Sequence, residues 1–169
     1  FIMESMKDIV VGMNLLKKIL NFITLDMNTK YMLIEAFFYL AWARILKAIP
    51  FSKVAPKLGA FMNESDFYHN ESNKVLINRI SEAIHIMSRY TFWESRCLVK
   101  AIAAMKMLER RQIESTLYLG TAKDEDGKLI AHAWLRSGPF FITGAEVMEK
   151  FTVVSKFAKR IGKNKVEGE

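Results

Sequence analysis

One cysteine, Cys97, stands in a chain of 169 residues, and the pattern around it predicts that it opens a helix. Backbone N–H groups in a first helical turn lack intrahelical partners, and the helix dipole is positive there. Both favour a thiolate, the form in which a cysteine is a nucleophile. The same N–H groups, beginning with that of Cys97, could hold the oxyanion of a carbonyl under attack. The competing reading is a buried structural thiol. His132 weighs against it. It sits in Ala131-His132-Ala133-Trp134 on a predicted strand, where residues 130, 132 and 134 share a face. Ile130 and Trp134 then flank His132 on the side expected to face a covering helix. If the Cys97 helix is that cover, thiol and imidazole meet as nucleophile and general base. His69, in a predicted loop, and His85, on a predicted helix, lack such a partner, and three dispersed histidines make a poor metal site.

The elements that must position this pair fall into three regions. Residues 1 to about 49 read as two helices broken near Leu25–Asn28. Asn28 or Thr29 is the expected cap of the second, and Pro50 its end. That second helix is apolar almost all round, so it packs either into its own domain or against a partner. Residues 50–73 read as a linker with a helical turn near Ser52–Leu58. Helices are predicted over Lys74–Arg89 and from Ser95 to Arg111. In the latter, the small residues Ala101 and Ala104 would let a sheet approach closely. Strands follow at Thr116–Ala122, Lys128–Leu135 and Pro139–Thr143, with Asp124-Glu125-Asp126-Gly127 as a hairpin turn. A last helix is expected over Ala145–Arg160. The fold class is α+β, with a helical region and linker at 1–73, a core at 74–160 and a basic disordered tail at 161–169.

Composition agrees with a compact domain: 51% of the residues are hydrophobic and 25% charged, which excludes disorder. A single cysteine excludes an internal disulfide framework. The net charge of +7 is concentrated at the two ends, with the middle close to neutral. The basic residues do not alternate with aromatics in a nucleic-acid-binding pattern, so no nucleic acid partner is expected. No secretory signal is recognised. Tyr31–Ile49 carries Glu35, Arg44 and Lys47, whereas a spanning helix wants about 20 nearly uncharged residues. Membrane contact is not expected, and the expected compartment is the cytoplasm.

A cysteine at a helix start followed by a histidine on a strand is the constellation of papain-like and transglutaminase-like enzymes. More specifically, four blocks resemble the lasso-peptide leader peptidase, the stand-alone peptidase half of the B-type maturation protein. They are Trp93-Glu94-Ser95-Arg96-Cys97-Leu98, Met107-Leu108-Glu109-Arg110-Arg111, Thr116-Leu117-Tyr118-Leu119-Gly120 and Ala131-His132-Ala133-Trp134-Leu135. The helical stretch Ile34-Glu35-Ala36 through Ile49-Pro50-Phe51 and the block Ala55-Pro56-Lys57-Leu58-Gly59 are also similar, so the resemblance runs from about residue 28 to residue 158.

This resemblance implies N-terminal helices on a transglutaminase/papain-like core, in which a catalytic helix lies against a small antiparallel sheet. It implies a cysteine endopeptidase that cuts the leader from a ribosomally made precursor peptide, using Cys97 and His132 and no cofactor or metal. It also implies two further partners, a separate leader-recognition protein and an asparagine-synthetase-like macrocyclase. The Tyr31–Ile49 helix is the expected contact for one of them. Trp134 and Trp93 are expected to wall a substrate groove or to position the pair. One departure stands out: the family's aspartate position falls at Gly144. Pairing across Ser137-Gly138 would put Thr143 opposite His132. The third member is thus Glu146, Thr143, a backbone carbonyl or water. Two other functions fit the same residues: an acyl transferase or amidase on the same fold, and a non-catalytic helical adaptor.

Overall fold

The computed structural model describes residues 22–68 and 71–161. The first expected N-terminal helix up to residue 21, His69 and the tail from residue 162 lie outside the described residues. Helix α1 spans Met27–Lys47. Its cap is Asp26, not Asn28 or Thr29. The Asp26 carboxylate accepts the Thr29 N–H at 3.0 Å and the Thr29 hydroxyl at 2.6 Å, and those bonds hold its pKa below the usual carboxylate value. One side of α1 buries Leu33, Ala36, Leu40 and Ala43. Glu35 receives the Arg111 guanidinium at 2.5 Å, tying α1 to the far end of the cysteine helix.

Helix α2 (Phe51–Leu58) follows Pro50 and ends at Gly59, whose φ of 130° only glycine adopts readily. A Cβ at Gly59 would run into the Ala158 carbonyl oxygen. This close pass lets the two-residue strand β1 (Ala60–Phe61) pair with the last strand. Helix α3 (Glu71–Met87) buries Ile77, Ile80, Ala83 and Ile84, and α4 (Cys97–Arg110) buries a run from Val99 to Leu108. The fully buried Ala101, Ala103 and Ala104 give α4 a thin profile between α1 on one side and the sheet on the other.

The sheet consists of β1, β2 (Ser115–Lys123), β3 (Leu129–Ser137), β4 (Phe140–Thr143) and β5 (Thr152–Lys159). It is antiparallel throughout, in the order β1-β5-β2-β3-β4. The β2–β3 turn is the expected one. The Asp124 carboxylate accepts the N–H groups of Asp126 and Lys128 at 3.1 and 2.8 Å, and Gly127 takes φ 77°.

The expected last helix is a correction. Ala145–Lys150 makes only a 3-10 turn, and Thr152–Lys159 is a strand inserted between β1 and β2. Thr152-Val153-Val154 is β-branched, which disfavours helix, and it pairs with the edge of β2 that β3 leaves open. One apolar core joins the helices to Leu117, Ala133, Leu135 and Phe157 of the sheet. Mixed helices and an antiparallel sheet make the fold α+β.

Candidate active site

Cys97 is delivered to the start of α4 by the loop after α3. The Thr91 hydroxyl bonds the Ser95 hydroxyl at 2.9 Å and donates to the Trp93 carbonyl at 3.1 Å, which folds residues 91–95 into a compact turn. Arg96, the residue before the helix, supplies no side-chain cap and pairs instead with Glu94. The first-turn N–H groups are therefore not taken by a capping side chain, as an anion-holding helix start requires. Cys97 is free and half-buried.

His132 reaches the same place by another route than expected. The α4 layer packs on the sheet face that carries Leu117, Ala133 and Leu135, not on the face of Ile130, His132 and Trp134. The even-numbered face holds Tyr118 and Trp134, stacked with ring centroids 5.6 Å apart. His132 lies 6.0 Å from the Trp134 ring and 5.0 Å from that of Phe151. Yet His132 and Cys97 line one cavity of about 340 Å³, together with Ser81, Glu82, His85, Lys100, Thr143 and Glu146. The reason is the short reach of β4. It pairs only with Leu135, Arg136 and Ser137, so the β3 edge beside His132 is left without a strand. The Ser81 hydroxyl donates to the Ile142 carbonyl at 2.7 Å, fastening the cavity's α3 wall to β4.

The register also corrects the expected neighbour of His132. A bulge between Leu135 and Arg136 sets Thr143 opposite Leu135. What His132 meets instead is backbone: its Nε2 lies 2.8 Å from the Gly144 carbonyl oxygen. A carbonyl can only accept, so Nε2 carries a proton, and in the neutral ring Nδ1 is then the nitrogen with the lone pair. Gly144 has φ 77°, and a Cβ there would stand 2.5 Å from the Ala133 carbonyl oxygen and 3.1 Å from His132 Nε2. Glycine at position 144 is thus what lets the backbone carbonyl come close enough to bond the ring. Glu146 lines the cavity without bonding His132. The Thr143 hydroxyl oxygen is buried without a partner.

Neither Trp134 nor Trp93 is among the residues lining this cavity. Trp134 is 5% exposed and lies beside His132 on the Tyr118 stack. Trp93 packs between Phe37 and Phe92, with centroids 5.2 and 4.5 Å away, under the turn that carries Cys97. His85 lines the cavity wall and accepts from Arg89 at 2.7 Å. Lys100, three residues after Cys97, was open to detection from helical spacing alone. Glu82 and His85 were not, because only the packing of α3 brings them in. Among the described residues no group of three or more His, Cys, Asp or Glu is placed to hold a metal, and no helix is long and apolar enough to cross a membrane.

A family model described as Transglutaminase-like superfamily matches residues 38–156, a span from within α1 to within β5 that contains both cavity residues, Cys97 and His132. No curated protein and no solved structure matches the chain.

Proposed function

Because the chain belongs to the transglutaminase-like superfamily, a fold that typically serves cysteine proteases or acyltransferases, we propose that it is a cysteine endopeptidase removing the leader from a lasso precursor peptide. The observation that carries the reading is the shared cavity, in which a helix-start thiol stands with an imidazole whose Nε2–H is tied to Gly144. Cys97 Sγ gives its proton to His132 Nδ1 and bonds to the scissile carbonyl carbon, while first-turn N–H groups receive the oxyanion. The C–N bond breaks as the imidazolium protonates the leaving amine, which frees the core peptide and leaves the leader as a thioester. Water, deprotonated by the same imidazole, hydrolyses that thioester and restores the thiol. No cofactor enters this sequence.

The resemblance to leader peptidases supports the substrate class and the partners: a leader-recognition protein that presents the precursor, and an asparagine-synthetase-like macrocyclase that takes the freed core, in the cytoplasm. The decisive experiment incubates the protein with a lasso precursor and recognition protein and reads the products by mass. Leader and core, with a thioester trapped on Cys97 at short times, are expected. Transfer of the acyl group to an added amine in place of water would make the protein an acyltransferase, and an unchanged precursor would end the peptidase reading.

A further inference from the structure

Helix α3 sends side chains into two hollows. Glu82 and Ile86, one turn apart on the helix, line the cavity of Cys97 and His132. The same two residues line a second hollow of about 230 Å³ between α3 and the first turns of α1. The two therefore join as one groove that crosses α3 at Glu82 and Ile86. The second hollow has an apolar floor: Met32 and Leu33 of α1 and Ala83 of α3 are 9, 6 and 4% exposed. Ile86, on the ridge between the hollows, keeps 43% of its surface in solvent. Asn28, Thr29 and Arg79 make the rim.

The peptidase chemistry gives this groove a direction. The imidazolium of His132 must protonate the leaving amine, so the nitrogen of the scissile bond faces His132, which enters the cavity from the sheet. The other substituent of the acyl carbon, the leader, diverges from that nitrogen and runs away from His132, towards the α3 wall. We propose that the hollow between α1 and α3 is the subsite for an apolar side chain of the leader, an inference that rests on the peptidase reading and deepens it. A helix with its side chains is about 10–12 Å across, and an extended peptide advances roughly 3.3 Å per residue. The side chain that reaches the hollow thus stands about three or four residues before the cut. A Leu- or Met-like group there covers Met32, Leu33, Ala83 and Ile86 and removes apolar surface from water on both sides. A carboxylate in the same place would lose its water against that floor and border on Glu82. The freed core peptide leaves by the other end, past Gly144 and Glu146.

The test uses the full chain with the recognition protein and a lasso precursor. In the first arm the protein carries Cys97→Ala, and a photoreactive leucine analogue is moved along the precursor one position at a time. Labelling of residues 28–33 and 79–86 should peak with the analogue about three or four residues before the cut, and labelling of residues 144–146 with the analogue in the core peptide. The opposite assignment would overturn the proposal. So would label that avoids the hollow from every leader position, as when another segment or a partner protein fills it. In the second arm the active protein cleaves precursors with Leu or Asp at the mapped position. Asp should raise KM on the order of tenfold with kcat little changed. Asn28→Trp, which fills the far end of the hollow from an exposed position, should raise KM for the Leu precursor by a similar factor. Combining the two changes should add little, because both remove one contact. Equal KM values for Leu and Asp would overturn the subsite and leave the peptidase reading standing, whereas no cleavage of any precursor would overturn both.

Discussion

Strand β3 carries two polar side chains on one face, His132 near its start and Arg136 near its end, and the two have opposite surroundings. Arg136 is 2% exposed. Its Nε donates to the Tyr118 hydroxyl at 3.0 Å, Nη1 to the Gly138 carbonyl at 2.6 Å, and Nη2 to the Ser65 carbonyl at 2.9 Å and the Glu64 carboxylate at 3.3 Å. The Phe67 ring covers the guanidinium at 3.9 Å. His132 has one hydrogen bond, to backbone, and opens onto a cavity. A saturated cation fastens the 63–67 loop over the sheet. An imidazole with one nitrogen tied and the other unbonded suits a group that moves protons. The same strand thus holds a structural centre and a candidate reactive one, separated by how many of their bonding positions the fold has filled.

Substitutions should pull the two ends apart. His132→Ala is expected to cut the peptidase rate by about 10²–10⁴-fold while leaving thermal unfolding nearly unchanged, and Cys97→Ser should do the same. A stability loss matching that of Arg136 variants would erase the distinction. Arg136→Met should act the other way, leaving the Tyr118 hydroxyl and the Ser65 and Gly138 carbonyls without their buried donor and the Glu64 carboxylate with Lys156 as its cation. A loss of roughly 3 kcal/mol or more is expected by urea unfolding, with residual activity following the folded fraction. A variant that stays stable but inactive would move Arg136 into the site.

Gly144→Ala sits between the extremes, because it touches the tie of His132 through the backbone. The left-handed φ and the approach to the Ala133 carbonyl predict a cost of about 1–3 kcal/mol. Loss of the Nε2–H tautomer, read from imidazole ¹⁵N shifts, should accompany a fall in kcat larger than any change in KM. An unaltered tautomer would show that Gly144 does not orient the ring. The smallest effect concerns acid. The hydrogen bond from Lys156, with that from Tyr118 and the charges of Lys156 and Arg136, holds the Glu64 pKa below its ordinary value against the opposing effect of burial. A carboxyl depressed in the folded state stabilises above its unfolded pKa, and that stability is lost as pH falls through the folded value. Melting temperature should therefore drop on the acid side in the unsubstituted protein, and Glu64→Gln should flatten that limb. Parallel acid limbs would mean that Glu64 contributes nothing to it.

The two ends also differ in how far they could be read in advance. Cys97 at a helix start and His132 on a strand were legible, since both follow from local periodicity and from Gly127 at the turn. The hairpin of β2 and β3 was legible for the same reason. The stretch Ala145–Lys159 was not. Its apolar residues suit a helix face and a strand about equally, and β pairing with β2 decided the matter. The pairing of Ser137 with Phe140 at the turn and the bulge after Leu135 were invisible too, and together they moved Thr143 away from His132. The network around Arg136 draws on residues 64, 65, 67, 118 and 138, and no local pattern joins them.

The sequence by itself determined which side chains are available and which local elements present them: a single thiol at a helix N-terminus, an imidazole in a β-branched and aromatic region, and a glycine at position 144. Those are properties of short windows, set by turn chemistry and by periods of 2 and 3.6 residues. Only the tertiary structure decided that α4 covers the Ala133–Leu135 face, that His132 reaches Cys97's cavity past the end of β4, and that the Gly144 carbonyl accepts the ring's hydrogen bond. Each depends on where strands far apart in sequence stop pairing. Hydrogen-bond register and close packing settle that together, and no single window contains both partners.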